Sequence, residues 1–338
     1  MIGVFPLPST MRPEHEALVI LTQQQFPELA GVSCEVDPIV KGGSDRHFYR
    51  LAWPKEAHPG MVLMVYTMAR PDNPKFVPAT NRLAAHAVRV PQIYAFDEPK
   101  LCVWLQDLGH DDLHSHRDQP WEIRRPLYES TLREGAKIHG IPEASLSKVD
   151  LTMVEPPFDE ALYEWEQGYF LTHFVQGHLV RDFKAAHFAP AHDALKTLRK
   201  RLAGEPRCLV HRDFQSQNVM LIEGHAWLVD YQGLRPGLAE YDLASLLFDP
   251  YVTISIQERD ELLEYYAALR NLDCKALKER FLLCAAQRLM QALGAYGNLS
   301  RNQGKPQFKQ HIPAAVANLS HVCSREPSLH ALLPLFAA

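Results

Sequence analysis

Residues 208–233 read CLVHRDFQSQNVMLIEGHAWLVDYQG. A short apolar run (Leu209, Val210) leads into a charged, amide-rich loop holding His211, Arg212, Asp213, Gln215 and Asn218. Two further apolar runs follow, VMLI at 219–222 and AWLV at 226–229, with Glu223-Gly224-His225 between them. Apolar runs joined by a short glycine-containing link predict a β-hairpin. Such a hairpin returns the chain beside its own start and brings Asp230, at its exit, toward Asn218. Strands on either side hold the polar loop in place.

Upstream, the stretch EHEALVILTQQQF (14–26) has helical periodicity. DRHFYRLAW and MVLMVYTM read as strands separated by the turn PKEAHPG, FVPATNRLAAHAVRV reads as a helix, and PQIYAFD and LCVWLQDL read as two more strands. Residues 35–107 are therefore expected to form a mixed sheet carrying one helix. From Trp121 onward the periodicity is helical, interrupted only at 208–230. The resulting expectation is a small β-rich lobe (1–106), a connector near 105–110 and a large helical lobe (107–338), with a small-ligand cleft between the lobes.

The 338 residues, 46% of them hydrophobic, suffice for such cores, and a formal net charge of −5 speaks against nucleic acid or an anionic membrane as partner. Six cysteines at 34, 102, 208, 274, 284 and 323 include no CxxC pair, which fits reduced thiols in a cytoplasm. The opening MIGVFPLPSTMRPEHE has no basic region ahead of an apolar one, so no secretory signal is expected, and no apolar run is long enough for a membrane span.

The spacing His211-Arg212-Asp213, four residues, Asn218 matches the H-R-D-x-x-x-x-N loop of phosphoryl-transfer enzymes. An alcohol attacking a γ-phosphate needs an acceptor for its proton, a role suited to Asp213. The phosphates require Mg²⁺, which prefers oxygen ligands, and Asn218 and Asp230 carry them. On these residues the chain resembles the aminoglycoside phosphotransferase/choline kinase superfamily. Asp230-Tyr-Gln-Gly stands where protein kinases have D-F-G, and RPGLAEYDLASLL resembles the G-P-x-x-x-D-L-A helix start of these enzymes. The resemblance implies an α+β, two-lobed protein-kinase-like fold, ATP and Mg²⁺ as cofactors, and Asp242 bracing the catalytic loop; Asp242 also reads as a plain helix N-cap. It implies a structural role for His211.

Further motifs resemble the bacterial anomeric N-acetylmuramate/N-acetylglucosamine kinases of cell-wall sugar salvage. They are GGSDRHFYRL, WLQDLG, FDEALYEWEQGYF and NQGKPQFKQHIPAAVANL. The likeness spans roughly residues 35–325. It implies an ATP-dependent kinase for a sugar hydroxyl, the anomeric one of an N-acetyl amino sugar, working in the cytoplasm as a monomer. Kinases for choline, ethanolamine or an aminoglycoside are the alternative within the superfamily, since the helix after 159 has the aromatics and carboxylates a cationic acceptor wants. A nucleotide-binding pseudokinase is the alternative from another class.

At the nucleotide end, Gly42 and Gly43 permit a tight turn whose N–H groups suit phosphates, and Ser44 adds a hydroxyl. The strand 61–69 has neither Lys nor Arg, so the protein-kinase strand lysine is missing. Arg46 is the expected replacement, with Lys41 and Lys75 as rivals and Arg50 alternating onto the same face. By resemblance, backbone groups of Gln106 and Leu108 meet the base edge, with Trp104 or Leu105 at its wall. At the acceptor end, Glu160, Glu166, Gln215 and Gln232 are candidate sugar contacts, while His139 reads as a packing histidine.

Overall fold

The computed structural model describes residues 13–39, 46–54 and 58–336. Two compact units divide them. The first comprises the residues up to Val77 together with Pro91–Asp107, and the second comprises Pro78–Val90 together with Leu108 onward.

In the first unit, helix α1 (Pro13–Gln25) precedes five strands: β1 (Glu35–Ile39), β2 (His47–Ala52), β3 (Met61–Val65), β4 (Ile93–Asp97) and β5 (Cys102–Gln106). Their order across the sheet is β1-β2-β3-β5-β4, and every pairing is antiparallel, so the mixed sheet expected from the sequence is corrected. The local reading also misses β1, whose Pro38 argues against a strand. At a sheet edge Pro38 removes no needed ladder donor. Leu51, Met61, Leu63 and Trp104 are fully buried, and Leu18, Leu21 and Phe26 pack against their cluster. Trp104 Nε1 donates to the buried Thr22 Oγ1 of α1 at 3.0 Å. Arg50 grips Asp107 with two bonds, Nε to Oδ2 at 2.6 Å and Nη2 to Oδ1 at 3.0 Å. The planar guanidinium matches a carboxylate in this way.

Helix α2 (Phe76–Ala85) begins at the end of the first unit's leading segment, and its remainder belongs to the second unit. There Thr80 Oγ1 lies 2.8 Å from the Tyr231 hydroxyl, and both are buried. The second unit continues with α3 (Trp121–His139), α4 (Lys148–Thr152), α5 (Glu160–Phe170) and α6 (Ala189–Ala203). Short strands β6 (Cys208–Val210), β7 (Val219–Ile222), β8 (His225–Leu228) and β9 (Arg235–Gly237) come next. After them stand α7 (Ala239–Leu247), α8 (Ile256–Arg270), the long α9 (Cys274–Asn302), α10 (Ile312–Arg325) and α11 (Leu333–Phe336).

β7 and β8 form the hairpin, with Ile222 opposite His225. Its two-residue loop has Glu223 and Gly224 at φ 51° and 74°. Two consecutive positive φ angles make the turn whose twist matches the strands. β6 pairs with β9, a strand the local sequence does not announce. A π-helical turn (Leu171–Gln176) extends α5 along α9, and a Cβ on Gly297 would stand 2.3 Å from the His173 carbonyl oxygen. Only glycine permits the two backbones to approach so closely. Among the described residues, no helix is long and apolar enough to cross a membrane.

Candidate active site

The loop after β6 is built around a buried carboxylate. Asp242, with no exposed surface, accepts from the backbone N–H of His211 (2.6 Å) and of Arg212 (2.8 Å). His139 Nε2 lies 3.0 Å from the same carboxylate, and His139 Nδ1 lies 2.7 Å from the Tyr266 hydroxyl. A carboxylate only accepts, so His139 Nε2 carries the hydrogen. The packing role expected of His139 is thus extended to orienting Asp242. The N-cap reading of Asp242 is corrected, because Leu238 caps α7.

Arg212 adopts φ 76° and Asp230 φ 65°. Left-handed backbone in residues other than glycine costs on the order of 1–3 kcal/mol each and persists where surroundings over-determine it. For Arg212 that surrounding is the Asp242 carboxylate. At the hairpin's end, the Val229 N–H donates to the Asn218 carbonyl at 3.0 Å, which brings Asp230 beside Asn218. His211 Nε2 lies 3.1 Å from the Val229 carbonyl and tethers the same corner. Asn218 Nδ2 donates to the Asp213 carbonyl at 2.9 Å, so its amide oxygen is the end left for a cation. Gln232 Nε2 donates to Asp230 Oδ1 at 2.9 Å, while Gln232 Oε1 is buried with no hydrogen-bond partner.

Asp213 keeps a third of its side chain exposed and pairs with Arg212 Nη1 at 2.9 Å. Burial alone raises its pKa. The charges of Arg212, Arg288, His211 and Arg235 outweigh burial and hold the carboxyl below its ordinary 3.8. Arg288, from α9, donates through Nε to Ser245 Oγ at 2.8 Å, and Ser245 Oγ reaches the Arg212 carbonyl at 3.5 Å. Arg235 lies over the Phe158 ring at 4.9 Å. Arg288 and Arg235, unlike Arg212 and His211, do not stand out in the sequence.

Several sequence candidates are engaged elsewhere. Glu166 is buried: its Oε1 accepts from the Tyr241 hydroxyl at 3.0 Å and its Oε2 from Gln287 Nε2 at 2.9 Å. It knits α5 to α7 and α9 and is not presented to an acceptor. Glu160 is half exposed and faces Arg199 of α6 at 3.7 Å. Trp104, buried under α1, is not a wall for a base. The Gln106 N–H is engaged by the Gln92 carbonyl at 2.8 Å. Gln215 opens the 3₁₀ turn Ser216–Asn218, its N–H donating to the Asp213 carbonyl at 2.9 Å. Arg46 and Leu108 are both buried, whereas Lys41, Gly42, Gly43 and Ser44 lie outside the described residues.

Burial pushes the pKa of Glu166 up from its ordinary 4.5, against the opposing pull of Gln287, Tyr241, Arg212 and Arg288. A carboxyl raised on folding adds stability below its unfolded value and loses it as pH climbs through the folded value. Glu166→Gln is therefore expected to flatten the decline in melting temperature between about pH 4.5 and neutrality, as followed by differential scanning fluorimetry. An unchanged slope contradicts the buried-acid reading.

The model of the phosphotransferase enzyme family matches residues 35–277. The N-acetylmuramate/N-acetylglucosamine kinase of Pseudomonas aeruginosa is 26% identical over 317 residues, covering 90% of each chain. Its namesake from Neisseria meningitidis is 27% identical over 260 residues, 74% of each chain. A choline/ethanolamine kinase family protein from Mesorhizobium loti superposes with a TM-score of 0.63 at 15% identity, covering 95% of this chain and 98% of that one; this likeness is one of fold.

Proposed function

Since the chain belongs to the phosphotransferase enzyme family, we propose that it is an ATP-dependent, Mg²⁺-requiring kinase for a sugar hydroxyl, the anomeric hydroxyl of an N-acetyl amino sugar of the N-acetylmuramate/N-acetylglucosamine type. The relatives named for that activity match this chain over most of its length. On this reading the enzyme works as a monomer in the cytoplasm, within cell-wall sugar recycling.

The observation that carries the choice of acceptor is the positive charge that acts on Asp213, with Arg212 in direct contact. Arg212, Arg235 and Arg288 all act on that carboxylate. A cationic acceptor such as choline, ethanolamine or an aminoglycoside would meet like charge there, while a neutral or acidic sugar would not. The pseudokinase alternative is disfavoured because Asp213, Asn218 and Asp230 are all present, with Asn218 and Asp230 tied to one hairpin corner.

Asp213 accepts the acceptor's hydroxyl hydrogen and aims the oxygen at the γ-phosphorus, and the phosphoryl group transfers directly without a covalent enzyme intermediate. A carboxylate held below its ordinary range is a weak base at rest. It takes the proton as bond formation acidifies the hydroxyl. An anomeric hydroxyl, whose ring oxygen withdraws electrons, is more acidic than an ordinary alcohol and suits so weak a base. Asn218 and Asp230 would hold Mg²⁺. Their oxygens are hard donors, and a cation that keeps several waters and binds substrate phosphates needs only one or two protein ligands. Bound there, Mg²⁺ neutralises phosphate charge. For the triphosphate's remaining charge we retain Arg46, with Lys75 as its rival.

Incubation with Mg-ATP and a panel of amino sugars, choline, ethanolamine and an aminoglycoside, followed by mass detection, tests the reading. A phosphosugar whose carbon-13 spectrum puts phosphate on the anomeric carbon is expected. Phosphocholine with no phosphosugar reverses the assignment, and turnover of nothing revives the pseudokinase.

A further inference from the structure

The loop bearing Asp213 and Asn218 is held at two points by one helical element. Asp242 of α7 grips its start through the N–H groups of His211 and Arg212. Asp249, two residues beyond the end of α7, grips its far half. Asp249 Oδ2 accepts from the Ser216 N–H at 2.8 Å and from Ser216 Oγ at 2.5 Å. Its Oδ1 accepts from the Tyr251 N–H at 3.0 Å. Both Asp249 (1% exposed) and Ser216 (0%) are buried. Asp242 and Ser245 share one face of α7, and Asp249 follows just after the helix ends at Leu247. Sequence reading singled out Asp242 alone.

Ser216 begins the 3₁₀ turn that ends at Asn218, and the Val219 N–H closes it onto the Ser216 carbonyl. Whatever fixes Ser216 therefore fixes Asn218, two residues on, at the start of β7. A buried carboxylate is costly to retain. One oxygen, Asp249 Oδ2, accepts from both donors of Ser216 and so locks the turn's rotation as well as its position. We propose that Asp249 is a positioning residue for the cation ligand Asn218, acting through Ser216. α7 then serves as the common reference for the base, Asp213, and for the cation site. This rests on the reading of Asn218 and Asp230 as cation ligands.

The distinguishing readout is metal affinity separate from nucleotide affinity. Binding of Mn²⁺ to the full chain saturated with a β,γ-imido ATP analogue is followed by electron paramagnetic resonance. Binding of the analogue without metal is followed by calorimetry. Groups that orient a ligand typically change metal affinity by about 10–100-fold when altered. Asp249→Ala, which removes the acceptor of both Ser216 donors, is expected to weaken Mn²⁺ binding by about that factor. Metal-free nucleotide affinity should stay within about twofold, because the change reaches the nucleotide only through the cation. Ser216→Ala, which removes one of the two bonds, is expected to move Mn²⁺ binding the same way by less. Wild-type Mn²⁺ affinity in the folded variants overturns the proposal, as does parallel loss of nucleotide and metal in a variant that remains folded. Should Asp249→Ala not fold, the Mn²⁺ affinity of Ser216→Ala alone decides. A wild-type chain that shows no metal-dependent nucleotide binding overturns both this proposal and the site beneath it.

Discussion

Asp213→Asn is expected to leave a folded protein that binds nucleotide and turns over about 10²–10⁴-fold more slowly, the usual contribution of a positioned general base. The reason to expect retained folding is local. The Asp213 side chain is a third exposed, and its recorded bond is to the neighbouring Arg212, itself more than a third exposed. The loop's shape depends on Asp242 and Asp249, not on Asp213. An amide in place of the carboxylate still fills the space but cannot take a proton. The check is steady-state kcat with the best acceptor of the panel, alongside calorimetric nucleotide affinity. A variant within tenfold of wild-type kcat removes Asp213 from the chemistry. Loss of nucleotide binding would instead give it a structural role.

Asp242→Ala should be the most destabilising single change at the site. It strips the acceptor from two buried backbone N–H groups and from His139 Nε2 at once. Each buried donor left without a partner costs about 1–3 kcal/mol, and Arg212 loses the contact that offsets its left-handed backbone. A total of about 3–5 kcal/mol is expected, matching the cost of breaking a buried ionic group. In a domain of this size that is a fall in melting temperature on the order of 10 °C. Activity should vanish with the loop's geometry. Asp242→Asn keeps one acceptor and should lose less of both. A fall of under 2 °C for Asp242→Ala would mean that the loop holds its shape by other means.

The loop at 211–218 and the hairpin after it were legible because their geometry is local. Asp213 and Asn218 sit five residues apart, and the hairpin that returns Asp230 to them is a four-residue strand, a two-residue turn and another four-residue strand. Asp249 lies seven residues after Asp242, but α7 ends at Leu247, so its grip on Ser216 comes from the turn that follows the helix. The helix around Glu160 and Glu166 was ambiguous in the sequence for a physical reason. Carboxylates and aromatics at helical spacing look alike whether the face meets solvent, a ligand or another helix. Which of these holds depends on what packs against it.

Most strands and helices, the hairpin, and the residue types of the loop at 211–218 follow from periodicity and turn chemistry within a few residues, so the chain alone determined them, whereas β1 and β9 it did not announce. The fates of Glu166, His139 and Arg288 were decided by tertiary packing. Gln287 meets Glu166 from 121 residues away, and Asp242 meets His139 across 103. No local pattern encodes such partners. They are chosen when α3, α5, α7 and α9 close on one another and each buried polar group must find a mate or bear the cost of having none.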